Sequence, residues 1–229
     1  MSEQNFIFRI LRYKPGVIDP PRFEAFSLAA RPAMTVLEAL EEIRLTRDET
    51  LIYRRSCHHG ACGTCACMIN GVPKLACTTR IGDLESKEVT LEPLANHPCI
   101  SDLAVAVDGF FKEIPAGWEY LRGCAQASKE RTPQGVERLL RFENCIECGC
   151  CVAACPVISD APDFLGPAAL AALNNQRRKQ PANEMALLGS AAGPGGADQC
   201  RRHLACSRVC PTAVYPARHI AELQRDIRK

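Results

Sequence analysis

Apolar and polar residues change rhythm partway along the chain. Residues 6–12 (FIFRILR) and 23–30 (FEAFSLAA) read as strands. Pro15, Gly16, Pro20 and Pro21 lie between them and predict a hairpin-like turn region. Val36, Leu37, Leu40 and Ile43 share one face of a helix over 36–44, with Thr35 as its N-cap. A loop follows, then short strands at 66–69 and 73–77 around Asn70-Gly71, a strong hairpin signal. Residues 87–92 (KEVTLE) supply a closing strand, so this half is a small mixed sheet packed on a helix. After Pro98 the texture turns helical. Apolar residues recur at helical spacing over 101–112 and again over 133–142, and Pro167 opens a helix running through Leu173, where proline is tolerated. The Gly/Ala-rich stretch 189–197 reads as a loop. The expected class is α+β, with a boundary near 100: a mixed-sheet domain over 1–100 and an all-α domain over 101–229.

The loops between these elements hold the chemistry. Of fifteen cysteines, eleven fall into three blocks. Cys57, Cys62, Cys65 and Cys77 read C-x4-C-x2-C-x11-C. Cys145, Cys148, Cys151 and Cys155, followed by Pro156, read C-x2-C-x2-C-x3-C-P. Cys200, Cys206 and Cys210, followed by Pro211, read C-x5-C-x3-C-P. These are the plant-type and bacterial-type iron–sulfur spacings on one chain. Gly60 and Gly63 in the first block permit positive φ and close approach of backbone N–H groups to sulfur. The competing reading of that block is a zinc site or buried thiols. His58 and His59 are expected on a solvated loop surface.

The second and third blocks must be read together. In two-cluster bacterial ferredoxins the first three cysteines of a run hold one cluster and the fourth holds the other. By that rule Cys145, Cys148 and Cys151 share a [4Fe–4S] cluster with Cys210, and Cys155 joins Cys200 and Cys206. Full ferredoxin spacing would put a cysteine at position 203, and the residue there is His203. A cubane short of one thiolate loses that iron, which predicts [3Fe–4S]; the rival is a [4Fe–4S] cluster with His203 as fourth ligand. Cys67, Cys99, Cys124 and Cys150 fall outside the pattern and are expected to be non-ligands.

Composition narrows the partners. A formal net charge of +2 makes no case for nucleic acid. An odd cysteine count without an apolar leader argues for reduced thiols available to metal, not a disulfide framework. No run of about 18 apolar residues is present, so no membrane span is expected. No Gly-rich nucleotide loop or nucleophile elbow occurs, so no catalytic residue is assigned and electrons must pass between partners.

With these residues in view, the chain resembles the iron–sulfur subunit of the succinate dehydrogenase / fumarate reductase family over nearly its whole length. SCHHGACGTC, LACTT, CIECGCCVAACP and CRRHLACSRVCP carry the resemblance, with RYKPG, SDLAVAVDGFF and FLGPAAL at its edges. It implies a plant-type [2Fe–2S] ferredoxin-like β-grasp domain followed by an all-α bacterial-ferredoxin-like domain. It further implies a flavoprotein partner that carries FAD and the dicarboxylate site, with the two-iron cluster toward the flavin. At the other end it implies a cytochrome b-type membrane anchor and its quinone beside the three-iron cluster. The subunit would then be peripheral on the cytoplasmic face of the membrane. By position, Pro156, Arg201 and His203 are the quinone-proximal residues. Many members carry a Trp shortly after the Cys-Pro of the second block; here stand Val157, Ile158, Ser159 and Asp160, and the one Trp is Trp118. A soluble relative linked to thiol chemistry would append a further Cys-rich domain, and no Cys follows Cys210. A zinc-stapled interaction module without a redox role is the alternative from a different class.

Overall fold

The computed structural model describes residues 3–107, 144–179 and 183–229. The chain divides into two compact units. The first takes in Met1–Val107 together with Ile146–Ala154; the described part of the second is 144–145, 155–179 and 183–229.

In the first unit β1 (Gln4–Lys14) and β2 (Ile18–Ala30) form an antiparallel hairpin. The helix α1 (Val36–Thr46) follows, then β3 (Ala66–Ile69), β4 (Val72–Leu75) and β5 (Glu88–Glu92). The sheet order is β2-β1-β5-β3-β4, with β5 parallel to β1 and antiparallel to β3. Alternation along β1 sends Phe6, Phe8 and Ile10 inward, and together with Val36, Leu37, Leu40 and Ile43 of α1 they belong to the unit's buried set. The same register carries Arg12 into the interior, fully buried. Its guanidinium bonds Glu24 at 2.7 Å and Asp48, and its Nε lies 3.2 Å from Asp102 Oδ1. Thr35 and Glu38 close a capping box at the start of α1: Glu38 N donates to Thr35 Oγ1 at 3.2 Å and Thr35 N to Glu38 Oε2 at 2.7 Å.

Two expectations change here. The turn of the first hairpin is residues 15–17, and Pro20 and Pro21 lie inside β2. They fall beside a register shift opposite Arg12–Lys14, on the edge strand, where a missing N–H is tolerated. Residues 99–105 are not helical: β6 (Cys99–Ser101) and β7 (Ala104–Val105) pair as a small hairpin. Asp102 turns it at φ 44° and is fully buried. Its carboxylate accepts from Tyr13 N at 2.9 Å and Ile52 N at 2.8 Å, a clamp that outweighs helical spacing. Residues 106–107 are not helical either; 108–112 of that expected helix, the one over 133–142, Trp118 and Cys124 lie outside the described residues.

The segment returning to the first unit carries α2 (Cys150–Ala153). Asn96 Nδ2 donates to Val152 O at 3.0 Å, and the His97 ring lies 3.3 Å from Gly149 O. The described helices of the second unit are α3 (Pro156–Asp160), α4 (Gly166–Lys179), α5 (Glu184–Ala192), α6 (Ala205–Arg208) and α7 (Pro216–Ile227). Leu170 and Leu173 of α4, Leu187 and Ala191 of α5, and Ile220 and Leu223 of α7 share one core. Arg177 staples the three helices: it bonds Asn174 at 2.8 Å, Glu184 at 2.7 Å and Asp226 at 2.6 Å. Residues 189–192, expected as loop, are the last turn of α5. Burial of Leu187 and Ala191, four apart on one face, overrides the small-residue composition.

Candidate metal centres

The first cysteine block wraps the approach to the β3–β4 hairpin. Cys57 and Cys62 stand half-buried in the loop before it. Cys65 immediately precedes β3, Cys77 lies just past β4, and both are buried. His58, Gly60 and Gly63 all take positive φ, curling the backbone so that its N–H groups face sulfur. Ala61 N and Cys62 N each donate to Cys57 Sγ at 3.3 Å, and Cys77 N donates to Cys65 Sγ at 3.4 Å. The thiols are therefore unlike. Hydrogen bonding from the His59 backbone and from Cys62 lowers Cys57 to about 6, while burial pushes Cys65 up to about 12. Cys67, inside β3, is buried and its thiol is also raised to about 12. His58 Nε2 sits 3.7 Å from Glu41, and the His59 ring contacts the Cys57 carbonyl.

The second block is shared between the units. Cys148, Cys150 and Cys151 belong to the segment in the first unit, whereas Cys145 and Cys155 belong to the second. Cys145 and Cys210 both flank a small cluster of Ala171, Ala172 and Val214. Val214 N donates to Cys210 Sγ at 3.3 Å. Cys148 is held to about 7 by the Cys150 thiol and by backbone donors, and Cys150 itself is fully buried. Cys150, expected to be a non-ligand, hydrogen-bonds the Cys148 thiol, a supporting contact that the adjacent C-G-C-C run is consistent with.

Two cysteines of the third block border a small cavity in the second unit, partly open to solvent. Cys155, Cys200 and Cys206 line it together with Pro156, Arg201 and His203. Cys155 is the N-cap of α3 with Pro156 in its first turn, and Cys206 lies within α6. Burial raises Cys155, and raises Cys206 to about 11. His203 is exposed; its carbonyl accepts from Arg208 at 2.7 Å. Arg201 pairs with Asp160 at 3.0 Å on the surface. Three thiols and one imidazole thus line the same space, with no fourth cysteine among its lining residues.

The donor sets fit iron–sulfur groups in two respects. All are cysteine sulfurs in loops or at helix ends, and several already accept backbone N–H bonds of the kind that support thiolate charge. Among the described residues no three Cys, His, Asp or Glu side chains converge on the position of a single metal ion.

Residues 7–112 match the family described as a 2Fe-2S iron–sulfur cluster binding domain, and residues 141–214 match the 4Fe-4S dicluster domain. The fumarate reductase iron–sulfur subunit of Mycobacterium tuberculosis is 36% identical over 92% of this chain and 88% of that protein. The corresponding subunit of Wolinella succinogenes is 33% identical over 96% of this chain and 95% of its own. In fold, a chain of the Mycobacterium smegmatis Sdh1 complex in the apo form matches 99% of this chain and 96% of its own, with a TM-score of 0.79 and 24% identity. The α+β architecture is thus an N-terminal two-iron ferredoxin domain followed by a helical dicluster domain. With relatives of this name aligned along nearly all of its length, the chain belongs to the family of fumarate reductase iron–sulfur subunits, a family of oxidoreductase subunits.

Proposed function

We propose that this subunit relays single electrons between the FAD of a flavoprotein partner and quinone at a membrane anchor, within a complex that interconverts succinate and fumarate. The two-iron ligands are Cys57, Cys62, Cys65 and Cys77, on a domain ending near residue 100. The chain after residue 100 contributes the rest: Cys145, Cys148, Cys151 and Cys210 for [4Fe–4S], and Cys155, Cys200 and Cys206 for [3Fe–4S]. The observation that carries this reading is the cavity lined by Cys155, Cys200 and Cys206 together with His203, the residue at the position where ferredoxin spacing calls for a further cysteine.

When bound, such clusters supply one-electron storage at sulfur-ligated iron. The chain supplies placement and electrostatics. The N–H groups of Ala61 and Cys62 stabilise negative charge on Cys57 Sγ, and those of Cys77 and Val214 do the same at Cys65 and Cys210. At the cavity, an imidazole in place of a thiolate leaves one corner without its usual ligand. Pro156, Arg201 and His203, on the same cavity, are the residues proposed to stand beside the quinone. The proposed attachment is peripheral, through the anchor, on the cytoplasmic face of the membrane; among the described residues no helix is long and apolar enough to cross a membrane. Dicarboxylate chemistry belongs to the flavoprotein partner.

Electron paramagnetic resonance on the purified full chain tests the assignment. A three-iron signal is expected in the oxidised protein, with two-iron and four-iron signals appearing on dithionite reduction. His203→Cys should replace the three-iron signal with a second four-iron one. A wild-type protein with two four-iron clusters and no three-iron signal would sink the His203 argument.

A further inference from the structure

Gly60 and Gly63 stand in the same loop with nearly the same backbone, φ 78° and 70°. Their surroundings differ. A Cβ on Gly60 would come within 3.0 Å of the Thr78 methyl, a side-chain group that can turn aside. A Cβ on Gly63 would lie 2.6 Å from the Ile146 carbonyl oxygen and 2.8 Å from Cα and Cβ of Cys148. The first of these is a main-chain atom, and so is the Cys148 Cα, so neither can yield unless the segment moves. The segment is not free to move. It is bonded to Asn96 through Val152 and lies against His97 at Gly149, and all of these residues belong to one compact unit.

Gly63 is flanked by Cys62 and Cys65, proposed ligands of the two-iron cluster. The backbone it touches carries Cys148, a proposed ligand of the four-iron cluster. We propose that Gly63 is a positioning residue for electron transfer between these two centres: its lack of a side chain lets the two-iron loop seat directly on the Ile146–Cys148 backbone and thereby fixes their separation. The inference rests on the cluster assignment given above. The step moves one electron, so that one centre is oxidised as the other is reduced, with no bond made and no proton transferred.

The test uses the full chain with its clusters, as wild type, Gly63→Ala and Gly16→Ala. Gly16, in the β1–β2 turn, has φ 71° and open space around it, so both alanines bear left-handed backbone strain and only the one at 63 meets the second segment. The readout is the spin relaxation of the reduced two-iron signal, measured with the four-iron centre oxidised and then reduced. In wild type and Gly16→Ala, reduction of the second centre should speed that relaxation. In Gly63→Ala, with iron and sulfide content unchanged, this enhancement should be lost. Loss of the four-iron signal from Gly63→Ala with the two-iron signal intact would equally support the contact. Three outcomes overturn the proposal: an enhancement unchanged in Gly63→Ala, one lost equally in Gly16→Ala, or loss of the two-iron signal from Gly63→Ala, which would confine its role to its own loop. Absence of both cluster signals from the wild-type chain would instead overturn the functional assignment itself.

Discussion

Cys57 and Cys65 share one loop and have opposite acidities. Backbone donors hold Cys57 to about 6, whereas burial pushes Cys65 to about 12. A lowered thiol pKa means thiolate above that pH, and thiolate is the form that binds metal and reacts with electrophiles. In the cluster-free chain Cys57 should alkylate with iodoacetamide with a midpoint near pH 6, while Cys65 and Cys67 stay unmodified at neutral pH; peptide mass spectrometry across a pH series checks this. Equal labelling of all three at pH 7 would contradict the arrangement. Arg12 is the residue the sequence conceals best. Its register matches Phe6, Phe8 and Ile10, and nothing local announces that Glu24, Asp48 and Asp102 gather around it. Removing one partner of a buried ion group strands the others, so Arg12→Ala should destabilise the chain by about 3–5 kcal/mol, read as a lowered urea midpoint. Arg12→Lys should recover only part of the loss, because an ammonium cannot reproduce the guanidinium's several directed bonds.

At the scale of the elements, local signals succeeded where the chain's neighbours in sequence are also its partners in space. Asn70-Gly71 marks the β3–β4 hairpin, and Thr35 with Glu38 marks the start of α1. Thr35→Ala removes that cap and should cost about 1 kcal/mol, measurable as a modest drop in thermal midpoint with cluster absorbance unchanged. Where partners are distant, the reading failed. Residues 101–105 show helical apolar spacing, yet Asp102 is bonded to Tyr13 and Ile52, contacts far away along the chain. Pro20 and Pro21 look like a turn until β2 is seen to be an edge strand. The last turn of α5 reads as loop because alanine, glycine and serine say little until Ala191 is found in the core. The iron–sulfur character of both domains, by contrast, is legible in the cysteine spacings, because clusters draw on short runs whose separations the chemistry itself sets.

For the molecule as a whole, the boundary drawn from texture and the grouping in space differ in kind. Texture follows the chain, whereas Ile146–Ala154 returns to the first unit after a long excursion. The bonds from Asn96 and the contact at His97 that receive it were not legible, since neither residue carries a motif. A fragment ending at residue 107 lacks these partners. It should still take up a two-iron cluster through Cys57, Cys62, Cys65 and Cys77, but unfold at lower urea than the same unit in the full chain; supplying a peptide of residues 144–156 should restore part of the difference. A fragment as stable as the full chain would mean that the returning segment contributes nothing to the unit it joins. The same return has a bearing on biosynthesis. On the ribosome the loop from Cys57 to Cys77 emerges well before Ile146, so Gly63 is uncovered in the nascent chain, and its contact with the Ile146–Cys148 backbone forms only once that later segment has left the ribosome.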